Sequence, residues 1–118
     1  MKKYARKLLL PILFGRAAAQ FSKGNYHRAS KLFEKTLGLD PDDDRIEYTL
    51  ACIGRCHAKL KAYDMAFVYL DKAFEIYQKK GIHFSNIDEQ NEYRAFLRAY
   101  KETLQNLDKP ERSSMPEA

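Results

Sequence analysis

The sequence predicts an all-α fold, and three observations carry that expectation. Valine occurs once and threonine three times, poor material for a sheet. No stretch alternates apolar and polar residues over five or more positions with β-branched enrichment. Five segments instead set apolar residues three and four apart between turn signals, which is helical spacing.

The segments follow in order. Pro11 to Ser22 is apolar and small-residue-rich, with proline suited to a first helical turn. Helix upstream of it, from Tyr4 to Leu10, requires a kink. Lys23-Gly24-Asn25 is a stop and turn. From Tyr26 to Leu37, the positions Ala29, Leu32, Phe33, Thr36 and Leu37 form a stripe, ended by Gly38 and the acidic run Asp40-Pro41-Asp42-Asp43-Asp44. Asp43 or Asp44 then caps a third segment, Arg45 to Leu60. A fourth, Tyr63 to Lys80, ends on Lys79, Lys80 and Gly81, a basic last turn before a good C′ residue. Ser85 or Asn86 caps a fifth, with Asp88 or Glu89 three residues on as a capping box. Asp108-Lys109-Pro110 stops it.

Composition excludes several classes. At 118 residues with 45% hydrophobic side chains, the chain has one core's worth of material and is not disordered as a whole. The net charge of +5 is uneven. Residues 1–16 hold Lys2, Lys3, Arg6, Lys7 and Arg16 and no acid, leaving 16 basic against 16 acidic residues in the rest. The excess is therefore an N-terminal arm, not a basic face of the kind nucleic acids need, so nucleic acid is not an expected partner. Cys52 and Cys56 lie four apart, wrong for a redox C-x-x-C and without the second pair a metal site needs. They read as buried packing residues, and no metal or cofactor is expected. Asp40 to Asp44 lacks the alternation and closing glutamate of a calcium loop. No catalytic triad, phosphate-binding glycine loop or pair of catalytic carboxylates is legible, so no enzyme is expected. A cytoplasmic location is expected. The alternative is export or membrane association through residues 1–19, where a basic start, a short apolar run and Ala17-Ala18-Ala19 partly imitate a secretory leader.

The chain also repeats itself. Laid over itself at an offset of 37, Leu13 meets Leu50, Ala17 meets Gly54, Tyr26 meets Tyr63, Ala29 meets Ala66 and Phe33 meets Leu70. One short hairpin cannot bury its apolar face, whereas two hairpins and a closing helix can do so by stacking around a shared dry interior. The run Gly24-Asn25-Tyr26 through Ala29, Phe33 and Leu37-Gly38-Leu39-Asp40-Pro41 resembles the second helix of the tetratricopeptide repeat, and Ile53-Gly54 resembles that family's first-helix Leu-Gly pair. The resemblance implies a short right-handed α-α superhelix. Its hairpins span 10–41 and 45–80, with a capping helix at 86–108, a basic arm or helix extension at 1–9 and a disordered tail at 110–118.

It also implies a function: a non-enzymatic protein–protein interaction module, a small adaptor or co-chaperone-like scaffold. In that family the first helices of the hairpins line a concave groove for a partner's peptide. Carried over, the groove residues are Phe14, Ala18 and Phe21 from the first hairpin and Tyr48, Ala51, Cys52, Arg55 and Lys59 from the second. Their mildly basic character suits an acidic peptide. The set some members use to clamp a terminal dicarboxylate is replaced here by Ala18, Ala51 and Arg55. Self-association through exposed end helices is a further expectation. The alternative function is a peripheral membrane or nucleic-acid accessory acting through Lys2, Lys3, Arg6 and Lys7.

Overall fold

The computed structural model describes the backbone of residues 3–109 and the side chains of residues 8–109. The chain there forms α1 (Lys3–Ser22), α2 (Tyr26–Leu39), α3 (Ile46–Lys59), α4 (Tyr63–Lys80) and α5 (Ile87–Asn106). Each helix packs on the next in sequence, and α3 also packs on α5. The fold is an all-α helical repeat, without strand among the described residues. The 110–118 tail, and Lys2, Lys3, Arg6 and Lys7 as side chains, lie outside the described residues.

One boundary lies upstream of the segment start at Pro11. Helix α1 does not begin at Pro11 but runs through it from Lys3. Pro11 is exposed, and its ring leaves the carbonyl four residues back without a helical donor.

The repeat is visible bond for bond in the turns. The Gly24 N–H donates to the Phe21 carbonyl at 3.0 Å and the Asn25 N–H to that of Gln20 at 2.9 Å. Thirty-seven residues on, the Lys61 N–H donates to Ala58 at 3.0 Å and the Ala62 N–H to His57 at 2.9 Å. Both turns need a left-handed residue, with φ of 83° at Gly24 and 62° at Lys61. Glycine adopts that conformation at little cost, whereas lysine gives up about 1 kcal/mol. Helix α5 ends in the same geometry: Asp108 has φ 55°, and the Lys109 N–H reaches the Leu104 carbonyl at 2.8 Å. The capping helix thus finishes as a third first-type helix would.

The helix starts are set less uniformly. Asn86 caps α5 as a capping box requires, accepting from the Glu89 N–H at 2.9 Å, while the Glu89 carboxylate accepts from the Ser85 N–H at 2.8 Å. Neither Asp43 nor Asp44 caps α3. The N-cap is Arg45, and Asp43 Oδ1 instead accepts the Arg45 N–H at 2.6 Å in the turn before it. At the far end of α4, Lys80 donates to Glu47 of α3 at 3.0 Å and to the Asp44 carbonyl, tying the inter-hairpin linker to the second hairpin.

The interior is not single. Ala17, Ala29 and Phe33 pack with Cys52, Ile53 and Cys56 as one cluster. Leu50, Ala51 and Ala58 pack with Ala66, Leu70, Phe74, Phe96, Leu97 and Tyr100 as another. Helix α3 supplies both and is the wall between them, and partly buried Leu37 of α2 and Tyr69 of α4 pack against both clusters. The small residues at repeat positions set the depth of α3. Ala29 and Ala66 are fully buried. A Cβ on Gly54 would lie 2.5 Å from two carbons of the Leu70 side chain and 3.2 Å from its backbone nitrogen.

That contact yields a stability prediction. Gly54→Ala adds helix propensity but overpacks α3 against α4, so it is expected to lower stability by about 1–3 kcal/mol, or roughly 5–15 °C in Tm. Gly38→Ala, where the added methyl meets open space, is expected to raise it by about 0.5–1 kcal/mol. Thermal melts of the two variants check this, and a Gly54→Ala protein as stable as the parent contradicts it.

Candidate functional site

Helices α1, α3 and α5 bring aromatic and charged side chains together on one face. Phe14 of α1 packs edge-on against Phe33, with ring centroids 5.2 Å apart, and against Tyr48 of α3 at 5.5 Å. Two turns along α1, Phe21 meets Tyr26 edge-on at 5.1 Å. The Arg55 guanidinium sits 4.9 Å from the Phe21 ring centre and donates to Glu92 of α5 at 2.6 Å. One cation thus joins the three helices.

Each residue named from the sequence has a definite place. Phe14, Phe21, Tyr48 and Arg55 are half-buried and form the face just described. Ala18 is exposed beside them on α1. Ala51 and Cys52 are buried, 4% and 6% exposed, and form floor rather than surface. Lys59 is exposed at the C-terminal end of α3, outside both cavities described below. The sequence did not mark Glu92. It lies in a helix whose register against α3 depends on the 81–86 linker, and no local pattern sets that.

Two cavities open on this face. One, of about 180 Å³, lies between α3, α5 and the linker; its walls are mixed, with Tyr48, Cys52, Phe84, Tyr93 and Phe96 beside the charged Arg45, Glu47, Arg55, Glu89 and Glu92. An apolar cavity of ~150 Å³ accepts benzene, so this one has room for one large apolar side chain. The other, of about 500 Å³, lies between α1, the end of α2 and the start of α3, lined by Pro11, Phe14, Leu37, Ile46 and Tyr48 among others. Tyr48 lines both.

Burial governs the electrostatics here. It is the largest cause pushing the Tyr48 hydroxyl above its ordinary range, with the charge on Glu92 adding to it. It drives the Cys52 thiol up strongly and the Cys56 thiol to about 12. It pushes His57 down, in keeping with a ring stacked on Tyr69 at 5.6 Å whose Nε2 has no hydrogen-bond partner among the described residues. The Tyr93 hydroxyl is likewise buried without a partner among them. Both cysteines are free and buried, as the packing reading expected. Among the described residues no group of three or more histidine, cysteine, aspartate or glutamate side chains could hold a metal. No described helix is long and apolar enough to cross a membrane.

The signs of these shifts fix a pH profile. The raised thiol and phenol values mean the unfolded chain loses protons first, so stability falls as pH rises above about 9. The lowered His57 value means the unfolded chain gains a proton first, so stability also falls as pH drops below about 6.5. Denaturant midpoints are expected to plateau between those limits. At pH 8, Ellman's reagent is expected to leave both thiols unmodified in the native protein and to titrate two per chain in guanidinium. Rapid native labelling contradicts the packing described.

In comparison with known families, residues 10–43 match the model described as a tetratricopeptide repeat. No curated protein and no solved structure matches the chain.

Proposed function

The chain carries a tetratricopeptide repeat at residues 10–43, and on that premise we propose that it is a small adaptor or scaffold holding a peptide segment of another protein along the face of α1, α3 and α5. The observation that carries this reading is the row Phe14, Tyr48, Phe21 and Arg55, which crosses helices and runs beside two cavities. Exposed and half-buried aromatics are the side chains that anchor interfaces at low entropy cost.

The chemistry of the peptide follows from Arg55. Its guanidinium is only 15% exposed as a side chain and is neutralised by Glu92. The ion pair is modest, about 1 kcal/mol or less, because Glu92 is 45% exposed. It still removes the free cation that an acidic ligand would seek at the centre. We therefore assign the groove to a peptide anchored by large apolar side chains, one seated in the 180 Å³ cavity. Arg45, exposed and lining both cavities, is the position where an acidic flanking residue gains most. No catalytic step is assigned.

Panning a displayed random-peptide library on the full chain, followed by amide chemical-shift mapping, tests the proposal. Enriched peptides are expected to carry two spaced large apolar residues and to shift Tyr48, Arg55 and Phe84. Tyr48→Ala is expected to weaken the best peptide by roughly tenfold or more. Raising salt is expected to change affinity little. Failure to enrich any peptide, or shifts confined to the exposed faces of α2 and α4, contradicts it.

A further inference from the structure

Helix α1 turns two faces to its own fold and one away from it. On the side opposite buried Ala17, the exposed residues are Leu8, Pro11, Ile12, Gly15, Ala19 and Ser22. Leu8 is 68% and Ile12 54% exposed, and a Cβ on Gly15 would meet nothing within 4 Å. Arg16 and the exposed Ala18 flank this stripe. The opposite end of the molecule is built differently. Beyond Ile87, the exposed side of α5 carries Asn91, Arg94, Arg98, Glu102 and Gln105. A helical-repeat stack needs a polar covering at each end. Among the described side chains the α5 end has one and the α1 end lacks it.

We propose that a second copy of this chain covers the α1 face, through an antiparallel pairing of the two α1 helices. Leu8, Ile12, Gly15 and Ala19 are spaced four, three and four apart, the seam spacing of paired helices. Two large residues lead and two small ones follow. An antiparallel two-fold sets Leu8 against the partner's Ala19 and Ile12 against the partner's Gly15, so every layer pairs large with small and the helices approach closely. A parallel pairing sets Leu8 on Leu8 and Gly15 on Gly15, and it brings two N-terminal segments rich in lysine and arginine side by side. Head-to-tail stacking fails for another reason: the α5 face it would need is charged. The pairing is therefore isologous and closes at two copies. The seam runs over about three helical turns and offers four residues from each copy, far fewer than the roughly 20–30 a side of a standard interface. The dimer is accordingly weak and forms at high protein concentration. The Phe14–Arg55 row and the 180 Å³ cavity stay open in it, while Pro11 and Gly15, which also border the 500 Å³ cavity, tie that cavity's α1 rim to the pairing.

Sedimentation equilibrium of the full chain from 10 µM to 1 mM is expected to show the average mass rising from 13.8 kDa toward twice that value. Ile12→Glu and Gly15→Leu are expected to hold it at the monomer mass without lowering the melting temperature, since both positions are outside the core; Gly15→Leu is expected to raise that temperature by a few degrees through helix propensity. Orientation is read by oxidative cross-linking. A mixture of Leu8→Cys and Ala19→Cys chains is expected to give the mixed disulfide in excess of either self-linked product, the native thiols being buried. A monomer at 1 mM overturns the proposal. So does a dominant Leu8→Cys self-link, or α1 inserting into anionic phosphatidylserine vesicles with no self-association in solution.

Discussion

The fold depends on how closely α3 can lie against α4. Gly54 lets the Leu70 side chain occupy the space a Cβ would take, and this draws α3 deep enough to present apolar residues on two sides. Cys52, Ile53 and Cys56 then serve the first cluster, and Leu50, Ala51 and Ala58 the second. Neither cluster is large enough to stand alone in a chain of this size. Sharing one helix makes them a cooperative pair, because loss of α3 exposes both.

The same helix builds the candidate binding face. Its inner side places Tyr48 and Arg55 one above the other at two-turn spacing, within reach of Phe14 and Phe21 on one neighbour and Glu92 on the other. A residue that packs into a shared wall has little freedom to reorient. The aromatic row is thus preorganised, which lowers the entropy cost of receiving a partner. Cys52 lines the 180 Å³ cavity, and burial holds its thiol protonated and therefore unreactive there.

Much of this was legible because repetition makes tertiary contacts periodic. Tyr26 and Tyr63 begin α2 and α4 at the offset the sequence displays, and Ala29 and Ala66 are buried as their spacing requires. The tetratricopeptide pattern and its all-α fold were readable from Gly24 to Pro41. What the sequence concealed lies where repetition stops. Lys61 holds a left-handed turn that glycine marks in the first copy, so the second turn was visible only by alignment to the first. Glu92 belongs to α5, beyond the two copies the offset displays, and the 81–86 linker before it shares no residue pattern with the 40–45 linker, so its long-range pairing with Arg55 has no local signal. Helix α1 continues through Pro11, whose exposure is a fact of burial that a local breaker rule does not contain.

Native-state hydrogen exchange tests the central claim most directly. If α3 is the wall both cores share, the amides of Ile53, Gly54 and Cys56 exchange only through global unfolding, with the same free energy as denaturant melts report, and no partial opening releases them. Faster exchange in α3 than in α4, or an α1–α2 hairpin that opens while α3 stays protected at the global value, would contradict it.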